Sequence, residues 1–310
     1  MAKFPVSGVP SLASDSTSKF IPAIWSTKLV TKFYDSTVFT EIANTDYEGE
    51  IKAHGDEVII RTVPSITINN YQKGGGLNYE DPESPNVTLT IDQGKYFAFN
   101  CWDIDKHQSD IDLMNKWSED ASEQMKIAID TDILAAIGAS AHADNSGDSA
   151  GRISGDIDLG EAAAGVGTNA VQLTKANILD HLVDWGTVLD EQSVPESNRW
   201  VVLPAKACGL IKKSDLRDAS IAGDGTSILR NGRLGMIDRF TIYRSNNLNV
   251  NNTEIDILFG HPSALTFAAQ ITEMETIKNP DDFGDLVRGL EVYGFEVIKP
   301  EALGHVVAKY

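Results

Sequence analysis

Few residues in this chain stand at spacings that support chemistry, and each group that comes near has a plainer reading beside it. Gly165-Val-Gly-Thr-Asn-Ala170 matches G-x-G-x-x-A, with Asp190 roughly twenty residues further on, as a dinucleotide site requires. Such a site needs a buried strand directly before its first glycine, and Gly160-Glu-Ala-Ala-Ala-Gly165 stands there instead. Asp190, moreover, closes a predicted helix and not a second strand, so a glycine-rich loop is the expectation. Gly223-Asp-Gly-Thr-Ser227 lacks the lysine of a phosphate-binding loop and reads as a turn. Asp103-Ile-Asp105 and Asp110-Ile-Asp112 lack the glycine at loop position six and the closing glutamate of a calcium loop, so helix capping and solvated charge account for them.

The histidines at 54, 107, 142, 181, 261 and 305 show neither HxxxH nor HExxH spacing, and each is expected to be an ordinary surface or hydrogen-bonded side chain. No G-x-S-x-G elbow supports a hydrolase. Cys101 and Cys208 are too few and too far apart for a disulfide framework or a CxxC pair, and two buried reduced thiols are expected. The residue types therefore point away from an enzyme, a cofactor or a metal.

At 310 residues with 42% hydrophobic content the chain can bury a sizeable core in one large or two ordinary domains. Its formal charge of -19 and pI near 4.6 repel polyanions, which argues against a sequence-reading nucleic-acid binder or an anionic-membrane binder. Any DNA nearby would be enclosed, not gripped. Met1-Ala-Lys-Phe-Pro5 does not resemble a signal peptide, and no run approaches the ~20 apolar residues that span a bilayer, so a cytoplasmic origin is expected.

Residues 1–19, rich in Ser, Pro, Gly and Thr, read as an arm that gains order against a partner. A short amphipathic helix is predicted between about Pro22 and Asp35, where Trp25, beside an otherwise polar arm, is a candidate intersubunit anchor. Strands are predicted at Glu57–Val63, Ile66–Ile68 and Val87–Ile91, with Lys73-Gly-Gly-Gly76 and Glu80–Pro85 between them: a long β-hairpin with an irregular tip. A two-stranded ribbon is marginal in water by itself and should lie on another surface or another chain. A strand at Lys95–Trp102 then leads to a helix of about 28 residues, roughly 40 Å long, carrying Met114, Trp117, Ala121, Met125, Ala128 and Ile129 on one face. Ser109 or Asp110 would cap it and Gly138 would end it. The aromatic residues on helical faces are expected in the core.

From Asp144 to about Asn169 a loop or insertion is expected. A second helix follows, with Thr174 as cap and Ile178, Leu182, Trp185 and Leu189 in register. Next come a strand at Arg199–Leu203 stopped by Pro204, a short helix at Ala205–Lys213, and strands at Phe240–Tyr243, Glu254–Phe259 and Val292–Ile298; Ala264–Ala269 is ambiguous. Helices and strands interleave without a strict βαβ rhythm, which makes the fold class α+β.

The order of these parts resembles the tailed-bacteriophage major capsid (coat) protein family. The resemblance is carried by Phe20-Ile-Pro-Ala-Ile-Trp-Ser26, Ala43–Glu50 with Gly55–Ile60, Ile91-Asp-Gln-Gly-Lys-Tyr-Phe97, Leu229-Arg-Asn-Gly-Arg-Leu-Gly235, Ile242-Tyr-Arg-Ser-Asn-Asn247 and Val292–Leu303, in that order over most of the chain. It implies an N-terminal arm with a short helix at 1–48, an extended β-hairpin loop at 49–98, and a peripheral domain with its spine helix and an insertion at 99–172. An axial domain at 173–260 and a return to the peripheral domain at 261–310 complete the division. The same resemblance implies assembly-interface residues: Phe20 and Trp25 in the arm, Arg61, Lys73, Gly74, Gly75, Gly76, Tyr79 and Glu80 in the ribbon, and Asp218 and Arg230 in the inner loop of the axial domain. It implies a homo-oligomer of pentamers and hexamers that encloses double-stranded DNA in a virion, assembled in the host cytoplasm with a separate scaffolding protein and a portal. A cellular nanocompartment shell of similar fold is the alternative.

Overall fold

The computed structural model describes residues 34–45, 57–64, 66–82, 86–103, 113–161, 169–214, 235–280 and 282–310. In chain order its helices are α1 (Phe39–Ile42), α2 (Leu113–Ile137), α3 (Ile178–Glu191) and α4 (Ala205–Lys213). Its strands are β1 (Glu57–Arg61), β2 (Asn86–Thr90), β3 (Gln93–Trp102), β4 (Val171–Gln172), β5 (Arg199–Leu203), β6 (Met236–Ile237), β7 (Phe240–Arg244), β8 (Val250–Asn251), β9 (Glu254–Gly260), β10 (Leu265–Lys278), β11 (Gly284–Val297) and β12 (Leu303–Lys309). They form a two-stranded ribbon β1-β2, a three-stranded sheet β10-β11-β3, and a larger mixed sheet β4-β12-β9-β5-β7-β6 with β8 beside β9.

Every residue of β5 is buried, as suits an apolar run at the centre of a sheet covered on both faces. It pairs parallel with β7 and antiparallel with β9. The predicted register of α3 holds: Ile178, Leu182, Trp185 and Leu189 are all buried. The Trp185 ring stacks on Phe259 at 5.8 Å, and Phe240 meets Phe259 edge-on at 6.1 Å. These contacts sit within one apolar cluster that continues through the C-terminal half of α2 to Phe267, Tyr293 and Val297, so both larger sheets share a core.

Several expectations change. Ile66–Ile68 forms no strand; β1 pairs instead with β2, from Glu57↔Thr90 to Arg61↔Asn86, and the chain between them leaves the ribbon. Alternation alone cannot make a strand where no neighbouring backbone is offered. Thr174 does not cap α3 with its hydroxyl; its N–H and Oγ both bond Asn177 Oδ1, and Asn177 is the N-cap residue. Of the ambiguous 264–269 segment, residues 265–269 belong to β10, and β10 and β11, 14 residues each, form a hairpin of which the sequence reading predicts only the part from Val292 on. Glu273, Glu275 and Glu291, residues more at home in helices, hide that strand pattern. Trp117 is 39% exposed, because only the C-terminal half of α2 reaches the main core.

Part of the expected 144–169 insertion is tied down: Asn145 is fully buried, donating to the carbonyls of Glu301 and Leu303, and Leu159 is buried with its carbonyl accepting Val307 N–H. β12 lies between β9 and β4, in the sheet of segment 173–260, so the proposed boundary at 261 is not a sheet boundary. The predicted helix at 22–35 and the caps at Ser109 or Asp110 lie outside the described residues, save Tyr34 and Asp35, which are not helical.

Candidate assembly surface

The ribbon alternates, and its register puts Val58 and Ile60 of β1 on the same side as Leu89 and Val87 of β2. Only its base is covered: Ile60, Leu89 and Ile91 pack with Ala268, flanked by Val292 and Ile298. Gly294 permits this crossing, since a Cβ there would stand 2.1 Å from the Thr90 carbonyl oxygen. The opposite side carries the exposed Ile59.

Beyond Arg61 the chain extends with its apolar side chains bare. Val63 is 93% exposed, Ile68 91% and Tyr79 86%, with Ile66, Tyr71 and Leu77 exposed as well. At about 1.5–3 kcal/mol gained for fully burying each such side chain, the loop gives up considerable stabilisation while uncovered. It is nonetheless shaped. Gly75 N–H donates to the Gln72 carbonyl at 3.1 Å, with Gly74 at φ +87° and Gly76 at φ +74°, a turn that L side chains resist. Thr67 N–H donates to Glu80 Oε1 at 2.6 Å, joining the outgoing and returning limbs. Of the sequence-predicted residues, Lys73, Gly74, Gly75, Gly76, Tyr79 and Glu80 thus fall together on this exposed loop, and Arg61 is exposed where β1 ends. Phe20, Trp25, Asp218 and Arg230 lie outside the described residues.

A second bare surface is the outer face of the sheet β10-β11-β3. Register places Tyr96, Leu290 and Glu273 in one row, Ala98, Arg288 and Glu275 in the next, and Asn100, Leu286 and Ile277 beyond. Tyr96 is 79% exposed, and Leu290, Ile277 and Trp102 are partly bare. Arg288 pairs with Glu275 across the row. The ribbon base occupies the Val292–Gly294 end of this same face. The inner face is taken by α2: Phe99 meets Trp117 edge-on at 5.9 Å, and Lys95 pairs with Asp132.

Of the residues considered for chemistry, His54, Asp105, His107, Asp110, Asp112, Gly165–Thr168 and Gly223–Ser227 lie outside the described residues, and the others have structural partners as follows. Asp190 accepts from Arg199 at 2.7 Å and from Arg239 at 2.9 Å, so its carboxylate is not turned to a ribose. Burial pushes the Asp190 carboxyl up, but the bonds from the two arginines outweigh it and hold the group below the ordinary carboxylate range. The glycine-rich segment leads into β4, not a helix. His142 Nδ1 accepts from Asp144 N–H, His261 Nδ1 lies 2.9 Å from Ser263 Oγ, and His305 Nε2 is 3.3 Å from Asp256. Cys101 and Cys208 are both buried. Among the described residues no group of His, Cys, Asp and Glu is arranged to hold a metal, and no helix is long and apolar enough to cross a membrane.

The sequence reading missed Arg199, which is fully buried with its guanidinium bonded to Asp190 and to the carbonyls of Gly186, Val194 and Pro195. An arginine opening an all-apolar strand is the signal that could have found it, because a charge there must be paired.

A family model described as phage capsid protein matches residues 86–306. No curated protein matches the chain. Among solved structures, a chain of Mycobacterium phage Che8 is 27% identical, with TM-score 0.75 over 92% of this chain and 96% of that one. The capsid of cyanophage P-SCSP1u, 14% identical, aligns with TM-score 0.69 over 99% of both chains. The mature capsid of bacteriophage PhiM1, 15% identical, aligns with TM-score 0.64 over 96% of this chain and 95% of that one.

Proposed function

The chain belongs to the phage capsid protein family, and from that premise we propose how its parts divide the work of building a shell. It is a structural protein of the virion capsid with an α+β capsid fold, and it acts as one of many copies. The loop at 62–82 is the part that reaches a neighbouring copy, with Arg61, Lys73, Gly74, Gly75, Gly76, Tyr79 and Glu80 at or near the contact. The observation that carries this reading is the exposure of Val63, Ile68 and Tyr79 on a loop anchored only at its base. A heterologous contact of this kind, repeated around a ring, closes into capsomers. The bare outer face of β10-β11-β3, with Tyr96, Leu290 and Trp102, is the complementary apolar surface on the next copy.

Residues 1–48 act as an arm with Phe20 and Trp25 as anchors, and Asp218 and Arg230 belong to contacts at the centre of pentamers and hexamers. Segment 173–260 with β12 is the axial unit, and α2 with β3, β10 and β11 is the peripheral one. The shell assembles in the host cytoplasm on a separate scaffolding protein, carries a portal, and encloses double-stranded DNA without reading it, in keeping with a charge of -19.

The test is the double variant Ile68→Asp/Tyr79→Asp, purified at full length. Its unassembled subunit should unfold within about 0.5 kcal/mol of the unaltered protein, since neither side chain has a core to lose. Electron microscopy should show no closed shells. Uniform closed shells from the variant would overturn the assignment of the loop.

A further inference from the structure

Asp130 stands in α2 and is fully buried. Its Oδ1 accepts the backbone N–H groups of Val38 and Phe39, both at 2.9 Å, and its Oδ2 accepts the side-chain amide of Asn247 at 2.7 Å. Three parts of the chain far apart in sequence therefore meet on one carboxylate: the segment entering α1, the spine helix α2, and the turn that follows β7.

The same three parts are stitched together around it. Ser245 Oγ accepts Asn247 N–H at 3.1 Å and donates to the Ser36 carbonyl at 3.5 Å. Asn246 donates to Asp35 Oδ1 at 3.1 Å, and Tyr34 Oη donates to Asp120 Oδ1 at 2.8 Å. Further along, Asn44 N–H donates to the Leu265 carbonyl and Phe267 N–H to the Asn44 carbonyl, while the Phe39 and Phe267 rings meet at 4.9 Å. Residues 34–44 thus form a strap across α2, β10 and the turn after β7.

The chemistry of the site selects an aspartate. An apolar residue would leave two buried backbone N–H groups and an amide without acceptors, at about 1–3 kcal/mol for each. An asparagine offers one acceptor oxygen where three N–H groups converge, and its own NH2 finds an acceptor only if the Asn247 amide turns over. A carboxylate alone gives two acceptor atoms and no donor, which matches the three N–H groups that converge on it.

We propose that Asp130 is a positioning residue for assembly: it locks the strap, the spine helix and the axial turn into one body, so that the chain preceding Tyr34 departs from a single fixed point. The role in assembly rests on the reading that the arm contacts neighbouring copies; the lock itself does not.

The test compares full-length Asp130→Asn, the milder Asn247→Ala, and the reversed pair Asp130→Asn/Asn247→Asp, which restores one acceptor for the strap and one donor–acceptor match with the turn. Hydrogen exchange at the Val38 and Phe39 amides should accelerate about tenfold or more in Asp130→Asn relative to the amides of β5 and β9. Shells from it should become irregular or fail to close, and the reversed pair should recover both protection and uniform shells. Asn247→Ala should show the same effects to a smaller degree, which keeps the test open if Asp130→Asn does not fold. Unchanged exchange at Val38 and Phe39 in the single variants would overturn the lock. Lost protection with uniform shells would overturn the role in assembly, and a parallel truncation of residues 1–19 separates the causes. If that truncation also closes normally, the arm reading has failed; if it does not, the fault lies with Asp130.

Discussion

A guanidinium sealed inside an apolar wall needs an acceptor for its N–H groups, and Arg199 finds four: one carboxylate and three carbonyls. The Arg199→Met variant keeps the bulk and removes the donors, leaving those oxygens without their partner. It should lose about 1–3 kcal/mol in urea unfolding of the unassembled subunit, because the three carbonyls lose their donor while Asp190, 40% exposed, keeps Arg239. Asp190 adds a pH dependence. Because its folded carboxyl is held below the ordinary range, its contribution is fully present above the unfolded value near ~3.9 and is lost as pH falls through the lowered value. Asp256 titrates in the same sense: burial raises it, and the bonds from His305 and Asn249 lower it further than burial lifts it. Between about pH 6 and about pH 3, unfolding free energy should therefore decline less in Asp190→Asn than in the unaltered protein. The Asp190 side chain is 40% exposed, so solvent screening keeps the difference small.

At the scale of elements, the ribbon is seated by its close approach to Gly294. The β1-β2 pair buries one face of its base on Ala268, Val292 and Ile298, and a side chain on Gly294 would strike backbone, not a movable side-chain tip. Gly294→Ala should cost about 1–3 kcal/mol, and amide exchange should rise in β2 well before it rises in β9. Elements with one strong periodic face were legible from sequence. The α3 register, the all-buried β5 and the end of α2 at Ile137, just before Gly138, all follow from local pattern. The β10-β11 hairpin was not, because Glu273, Glu275 and Arg288 lie on its outer face and their preference is overruled by pairing partners distant in the chain.

At the scale of the whole molecule, among the described residues, a large core cluster spans both larger sheets and a small one seats the ribbon, while the loop at 62–82 and the outer face of β10-β11-β3 carry exposed apolar side chains outside both. Exposed apolar surface of this kind is what interaction sites present, which is the ground for the proposed contacts between copies. That is why the variant bearing Ile68→Asp and Tyr79→Asp is predicted to affect closure and not folding. The sequence by itself determined the kind of molecule: an acidic chain without catalytic spacing, carrying a poorly supported ribbon, a long helix and an interleaved α+β order. These are properties of composition and local period, which need no knowledge of neighbours. Only the tertiary structure decided that the ribbon crosses β11 at Gly294, that Arg199 shares Asp190 with Arg239, and that Asp130 gathers the strap, the helix and the turn. Each of these includes a contact between residues far apart along the chain, and such contacts are set by how the core closes, which no local pattern of side chains encodes.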